Sequence, residues 1–258
     1  MGKRKEIRKQ EERWGKRKFV SFVICIFFLG ALVFSGNKIL KWSMENQNTK
    51  KLTNEITKSV IVEGDGDKKK YSIDFDSLKK LNSDVVGWLK VQNTNVEYPI
   101  LKTNNNDFYL THSFDKSYNS AGWIFADYRN KFDGNDKNII IYGHNRRDGS
   151  MFSSLKNALQ ESWYSDENNR KIVFETEGES CVYEIFSIYQ IEKEDYYIQT
   201  GFSTDADFQE FLNTVKKRSV KDLGVEVTSN DRILTLSTCG NNNNYRVVIH
   251  AKKVENNV

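Results

Sequence analysis

The chain contains very little of several residue types that define whole classes of protein. One Pro and 15 Gly among 258 residues exclude collagen-like and proline-rich linker proteins. Three Cys are too few for a scaffold that depends on disulfides. The acidic residues form no grouping with His or Cys that would indicate a metal site, and no glycine-rich phosphate loop is present. We therefore expect no metal and no other cofactor.

The excess positive charge of the chain is confined to its first residues. Residues 1–18 contain nine Lys or Arg and three Glu, whereas residues 19–258 contain 30 basic and 32 acidic residues. A faintly acidic body has no general attraction for a phosphate backbone. The charge distribution therefore predicts no nucleic-acid partner.

An uncharged run follows the basic residues. Its sixteen residues, 19–34, would span roughly 24 Å as a helix, or about 27 Å with Ser35 and Gly36, close to the ~30 Å hydrocarbon core of a bilayer. The run lacks both the Ala-x-Ala site of a cleaved signal peptide and the polar face of a soluble helix. These two alternatives stay open, but the pattern favours an uncleaved membrane anchor.

Cations before the run and a long polar chain after it predict a cytoplasmic N-terminus and an extracellular body. Residues 37–70 are polar and charge-rich, and dense globular patterning begins at Tyr71. The predicted organisation is a basic cytoplasmic tail over 1–18, a transmembrane anchor over 19–36, a polar stalk over 37–70 and a folded domain over 71–258.

The folded domain has the pattern of a mainly β structure. A short helix is predicted over 76–81, helical spacing recurs over 151–159, and an amphipathic helix with a capping box is predicted over 204–218. Short apolar or alternating runs predict eight strands, over 85–91, 96–101, 122–128, 138–144, 171–176, 181–191, 232–239 and 245–253. Without regular helical crossovers, these strands predict an antiparallel barrel or sandwich.

Cys239 is the first candidate for chemistry. It ends a predicted strand and precedes a loop of Gly and Asn, so it could meet a substrate. Most free cysteines are instead small buried hydrophobic residues, and a disulfide between Cys181 and Cys239 is a further alternative.

Two residues are candidate partners for this thiol. His144 leaves the end of a buried strand, where an imidazole suits acid–base work. Arg246 is the second residue of the predicted strand after Cys239, so a hairpin would bring its guanidinium near the thiol, where it could stabilise a thiolate or an oxyanion. We interpret the other two histidines, His112 and His250, as structural.

These residues match the motifs of a known family. Thr235-Leu-Ser-Thr-Cys239 matches the T-L-x-T-C signature of sortases, the cell-wall transpeptidases of Gram-positive bacteria. The segment Tyr142-Gly-His144 resembles the sortase histidine motif, and Arg246 falls where the family has its essential arginine. The resemblance covers residues 74–254.

Within the family the chain resembles class B sortases. The helix over 204–218 and the segment 121–130 point to that class, although the seven positions from Cys239 to Arg246 make a short loop for it. The resemblance implies an eight-stranded antiparallel β-barrel with N-terminal helices and a helix inserted before the cysteine strand.

The resemblance also implies the reaction and the partners. Cys239 would attack a C-terminal sorting motif of a secreted protein to form a thioester, His144 would transfer protons, and Arg246 would stabilise the oxyanion. An amine of a peptidoglycan precursor would then take over the acyl group, at the membrane to which the single N-terminal helix anchors the enzyme. Ser237, on the same strand face as Cys239, is a weaker candidate for substrate contact.

Two alternatives from the residues remain. The chain could be a secreted cysteine endopeptidase that only hydrolyses, although His144 precedes Cys239 here, the reverse of the papain-like order. It could also be a non-catalytic β domain that binds a wall ligand.

Overall fold

The computed structural model describes residues 2–63, 70–192, 194–239 and 245–254. The end of the predicted stalk at 64–69, the loop at 240–244 and the side chain of Cys239 lie outside the described residues. The chain divides into two compact units, Met1–Asn48 and Thr49–Val258.

The N-terminal part of the chain is helical. Helix α1 runs from Gly2 to Thr57, well into the predicted stalk. Residues 37–57 contain neither Gly nor Pro, so nothing in their backbone interrupts the helix. By length and composition, α1 includes a segment apolar enough to cross a membrane.

A two-stranded ribbon and a short helix precede the barrel. Strands β1 (Val60–Glu63) and β2 (Lys70–Ile73) pair as an antiparallel ribbon that the sequence pattern did not indicate. Helix α2 (Phe75–Leu81) follows, close to its predicted bounds. Asp74 caps α2, because its carboxylate accepts a hydrogen bond from the Ser77 N–H at 2.9 Å.

Among the described residues, eight further strands close into a barrel in the order β10-β8-β7-β3-β4-β5-β6-β9. Their bounds are β3 Val85–Val91, β4 Glu97–Leu101, β5 Phe125–Ala126, β6 Asn138–His144, β7 Lys171–Glu175, β8 Ser180–Glu192, β9 Ile233–Cys239 and β10 Tyr245–Val254. The predicted eight-stranded barrel is confirmed.

The barrel is mixed rather than wholly antiparallel. The pairs β4–β5 and β6–β9 are parallel, and the other barrel pairs are antiparallel. Between β6 and β9 the chain forms β7, β8 and two α-helices, and this long crossover lets β9 run in the same direction as β6. The carboxyl ends of β6 and β9 therefore meet at one end of the barrel.

Strand β5 is much shorter than the predicted 122–128. Gly122 has a φ of +60°, and the Trp123 N–H donates to the carbonyl of Tyr109 at 2.9 Å. The Trp123 indole N–H donates to the carbonyl of Pro99 at 3.0 Å. These bonds hold the start of the segment outside the sheet ladder.

The helix inserted before β9 packs on the outside of the barrel. Helix α4 (Asp205–Lys217) follows a short α3 (Glu161–Tyr164), and the predicted capping box of Thr204 and Asp207 is present. The apolar stripe of α4 is buried with residues of β8, β9 and β10 in one cluster. Residues 153–159 form a 3₁₀ helix where α-helical spacing had been expected.

Candidate active site

The carboxyl ends of β6 and β9 bring two candidate residues together. His144 ends β6, Cys239 ends β9, and the two are partners in the parallel register. The ladder continues from Asn138, opposite Ile233, so the alignment rests on seven consecutive pairs. Two residues 95 positions apart in the chain are thus neighbours.

The imidazole of His144 is held by the segment before β5. Its Nε2 lies 2.7 Å from the carbonyl oxygen of Leu110. A carbonyl oxygen can only accept a hydrogen bond, so Nε2 carries a proton and donates it there. The residue is 6% exposed, so its ring is largely enclosed.

Gly122 provides the space that this arrangement needs. A Cβ at this position would lie 2.5 Å from the carbonyl oxygen of Tyr109 and 3.0 Å from Cδ2 of His144. With its φ of +60°, the position also has a backbone conformation that favours glycine. The close packing of this loop against His144 therefore depends on the missing side chain.

Arg246 approaches the same end of the barrel from β10. Its Nη1 donates to the carbonyl of Thr238 at 3.0 Å. The antiparallel register of β9 and β10 pairs Val248 with Ser237, and the same register continued by two residues brings Arg246 opposite Cys239. Among the described side chains Arg246 forms no ion pair, so its positive charge is not offset by a bound carboxylate.

A groove of about 570 Å³, a size typical of ligand sites, is lined by Arg246 and by Leu110, whose carbonyl holds His144. The Ser237 hydroxyl is hydrogen-bonded to the Tyr197 hydroxyl at 2.9 Å on the wall of the groove. Residues from several connections and strand ends line it: Asn106, Asp107, Leu110, Phe125, Arg129, Tyr142, Asp195, Tyr197, Ile198, Ser237 and Arg246. The weaker candidate Ser237 is therefore a groove residue together with Arg246.

The sequence did not single out a buried carboxylate behind this groove. Asp127 is bonded to Arg129, Tyr142 and Asn106, three residues that line the groove. Two of its three donor residues, Asn106 and Tyr142, lie 21 and 15 positions away, so no local sequence motif indicates the complete network. Only the position of Asp127 within the segment 121–130, noted for its resemblance to class B sortases, could have drawn attention to it.

The two other histidines have structural surroundings. His250 is fully buried, and burial lowers its pKa to about 3. Its ring nitrogens bond to Tyr189 and Thr235. The ring of His112 stacks on Phe108 with centroids 4.0 Å apart.

Cys181 is a free, buried thiol whose pKa is raised by burial. It lines a separate pocket with Arg232 and Lys253. Within the described residues, no group of three or more His, Cys, Asp or Glu has the geometry to hold a metal ion.

Comparisons with known proteins identify a matching family model and several relatives of this chain. The family model described as Sortase domain matches residues 89–254. Sortase B of Listeria monocytogenes is 36% identical over 246 residues, covering 92% of this chain and 98% of the relative. Sortase B of Staphylococcus aureus is 32% identical over 242 residues, covering 93% and 98% respectively. The crystal structure of sortase B from B. anthracis in complex with AAEK1 superposes with a TM-score of 0.73 at 33% identity, covering 82% of this chain and 99% of that one.

Proposed function

Because the chain belongs to the sortase family and is a cysteine transpeptidase, we propose that Cys239, His144 and Arg246 carry its reaction. The observation that carries this proposal is the strand register, which aligns His144 with Cys239 and brings Arg246 to the same end of the barrel. A thiol, an imidazole and an uncompensated guanidinium at one end of the barrel are the groups that acyl transfer needs.

In the first half of the reaction the Cys239 thiolate attacks a backbone carbonyl of the sorting motif. The carbonyl carbon becomes tetrahedral, and its oxygen gains negative charge. Collapse breaks the C–N bond and leaves a thioester, while His144 gives a proton to the departing amine. Since the Nε2 proton is directed to the Leu110 carbonyl, the nitrogen that exchanges protons with substrate is Nδ1.

In the second half an amine attacks the thioester. His144 takes the proton from the incoming amine, the C–S bond breaks, and the thiolate is regenerated. We assign the acceptor to a peptidoglycan precursor and the donor to secreted proteins that carry a sorting motif. The enzyme ends the cycle in the form in which it began, so these two half-reactions require no cofactor.

Arg246 is assigned to the oxyanion and to substrate alignment. A guanidinium has five N–H donors, and one of those of Arg246 is used on the Thr238 carbonyl. The bond to the backbone next to Cys239 fixes the guanidinium, and the remaining donors can meet charge that develops on the substrate oxygen.

The active site needs to lie outside the cell to reach exported substrates, and the apolar segment of α1 supports this location. Its apolar segment, residues 19–36, would anchor the enzyme, with tail 1–18 in the cytoplasm, the stalk over 37–70 and the catalytic domain over 71–258 outside the cell. Protease added to intact protoplasts should then remove the catalytic domain and leave the tail protected. A protected catalytic domain would contradict this orientation.

The role of the thiol is tested with the full-length chain in detergent, a fluorogenic peptide library and triglycine as the amine acceptor. Wild type should give acceptor-linked product and a transient thioester detectable by mass spectrometry, and Cys239→Ala should give neither. Cys181→Ala is the matched control, because it removes a buried thiol that lines a separate pocket. A thioester in Cys239→Ala would refute the assignment.

The same assay separates transfer from the two alternatives. An enzyme that only hydrolyses would release product at the same rate with and without triglycine and form no linked product. A non-catalytic wall-binding domain would cleave nothing. For His144→Ala and Arg246→Ala we expect turnover at least 100-fold below wild type with the fold retained, as seen by circular dichroism. Near-normal turnover in either variant would remove that residue from its role.

A further inference from the structure

Asp127 follows β5 directly and has a fully buried carboxylate, with 0% of its side chain exposed. Its Oδ1 accepts from the backbone N–H of Arg129 at 3.0 Å and from Arg129 Nε at 2.8 Å. Its Oδ2 accepts from Arg129 Nη2 at 2.7 Å, from the Tyr142 hydroxyl at 2.8 Å and from Asn106 Nδ2 at 3.0 Å. Both oxygens are thus held from several directions.

This carboxylate is ionised in the folded protein. Burial by itself would raise the pKa of Asp127, but the bonds from Arg129 and Tyr142 outweigh burial and hold the pKa below its usual range. The negative charge is matched by the guanidinium of Arg129, whose side chain is 38% exposed. The pair therefore combines a buried anion with a cation that reaches the groove.

The three donor residues belong to different walls of the groove. Asn106 comes from the connection between β4 and β5, which also contains Leu110, whose carbonyl holds His144. Tyr142 is in β6, two residues before His144. Arg129 also donates from Nη2 to the carbonyl of Ile198 at 3.3 Å, on the connection between β8 and α4.

Asp127 does not itself line the groove, yet each of its side-chain partners does. A change at Asp127 therefore acts on substrate only through those partners. We propose that Asp127 is a positioning residue of the transpeptidase. It holds the groove-lining side chains of Asn106, Tyr142 and Arg129 in place, so that the groove is formed before substrate binds. The inference rests on the proposed function, in which this groove receives the sorting motif.

The test uses Asp127→Asn in the full-length chain in detergent, with the library peptide that wild type cleaves fastest. The amide keeps the size of the side chain but turns an N–H toward groups that are themselves donors. Asn106, Tyr142 and Arg129 therefore lose the carboxylate that accepts hydrogen bonds from all three. We expect KM to rise at least tenfold while kcat falls less than threefold, because binding depends on the preformed groove. The rate at which iodoacetamide alkylates Cys239 should change less than twofold, since this small reagent does not need the groove.

Asp136→Asn is the matched control. Asp136 lies on the same connection between β5 and β6, and its carboxylate accepts from the N–H groups of Lys131 and Phe132. It lines a different pocket, so the same substitution there should leave KM within twofold of wild type even if stability falls.

Arg129→Lys keeps the inference testable if Asp127→Asn does not fold. A lysine keeps the charge but cannot span both Asp127 oxygens and the Ile198 carbonyl as the planar guanidinium does. KM should rise severalfold.

A wild-type KM in Asp127→Asn, or in Arg129→Lys where the first variant does not fold, would overturn the positioning role. An equal rise in Asp136→Asn would also overturn it, because the effect would then be general loosening. Failure of wild type itself to cleave or join any peptide would instead refute the proposed function, and the two failures are thereby distinguished.

Discussion

His250 should make the folded protein sensitive to mild acid. Its Nε2 lies 2.9 Å from the Tyr189 hydroxyl and its Nδ1 lies 2.8 Å from the hydroxyl of Thr235. The Thr235 hydroxyl gives its single hydrogen to Oδ1 of Asn138 at 2.7 Å, so it must accept from Nδ1 of His250. The neutral ring is fully bonded in this arrangement, whereas a protonated ring would turn a second N–H toward the tyrosine oxygen.

The size of the effect follows from linkage. Burial lowers the pKa of His250 from an ordinary 6.5 to about 3, so at pH 5 the unfolded chain binds a proton here and the folded chain does not. This stability is fully present above about pH 6.5 and is lost as the pH falls toward 3. Between pH 7 and pH 5 the loss from this one group is about 2 kcal/mol in the free energy of unfolding.

Urea unfolding of the full-length chain in detergent at pH 7, 6 and 5 measures this loss. Tryptophan fluorescence reports the transition, because Trp88, Trp123 and Trp163 are buried. His250→Gln should be less stable than wild type at pH 7 but should lose about 2 kcal/mol less on acidification. The other titrating groups are the same in both proteins and cancel in the difference. An identical pH dependence would refute the assignment of a buried neutral histidine.

Three further substitutions have defined outcomes. Gly122→Ala should destabilise the protein by at least about 2 kcal/mol and lower turnover, since the new Cβ meets the Tyr109 carbonyl at 2.5 Å; unchanged thermal unfolding would contradict this. Thr204→Ala removes the cap of α4 and should cost about 1 kcal/mol in urea unfolding with turnover unchanged. Ser237→Ala removes the hydroxyl bonded to Tyr197 and should raise KM severalfold with kcat within twofold, whereas an unaffected KM would place Ser237 outside substrate contact.

Elements with a local apolar pattern, either a run of strand length or a helical stripe, could be predicted from the sequence. The bounds of β3 and β6 match the predicted strands, and α4 differs by one residue at each end. In α4 the buried side chains recur at the helical period, whereas β3 and β6 are apolar runs of strand length whose residues are buried almost continuously. The predicted strand over 122–128 failed because hydrogen bonds to distant residues, rather than side-chain pattern, decide which of its residues join the ladder.

Strand direction and the network around Asp127 could not be predicted in the same way. Whether β9 runs parallel or antiparallel to β6 depends on the path of the chain between them, and the residues within the two strands do not determine this direction. The hydrogen bonds to Asp127 from Asn106 and Tyr142 likewise come from residues 21 and 15 positions away in the chain. A polar composition over 37–70 predicted a stalk, and the absence of Gly and Pro over 37–57 permits the continuous helix α1 in that part of it.

The register of the strands also explains why a short loop between Cys239 and Arg246 is compatible with the site. The ladder from Ser237–Val248 to Ile233–Lys252 fixes the register of β9 and β10 without reference to the residues that connect them. At the top of this ladder the Val247 N–H donates to the Thr238 hydroxyl at 2.9 Å, which extends the pairing toward the loop. Because β6 is aligned with β9 over seven pairs, the relative positions of His144, Cys239 and Arg246 depend on two ladders of the barrel. Changes in loop length should therefore alter the walls around the substrate more than the alignment of these three residues.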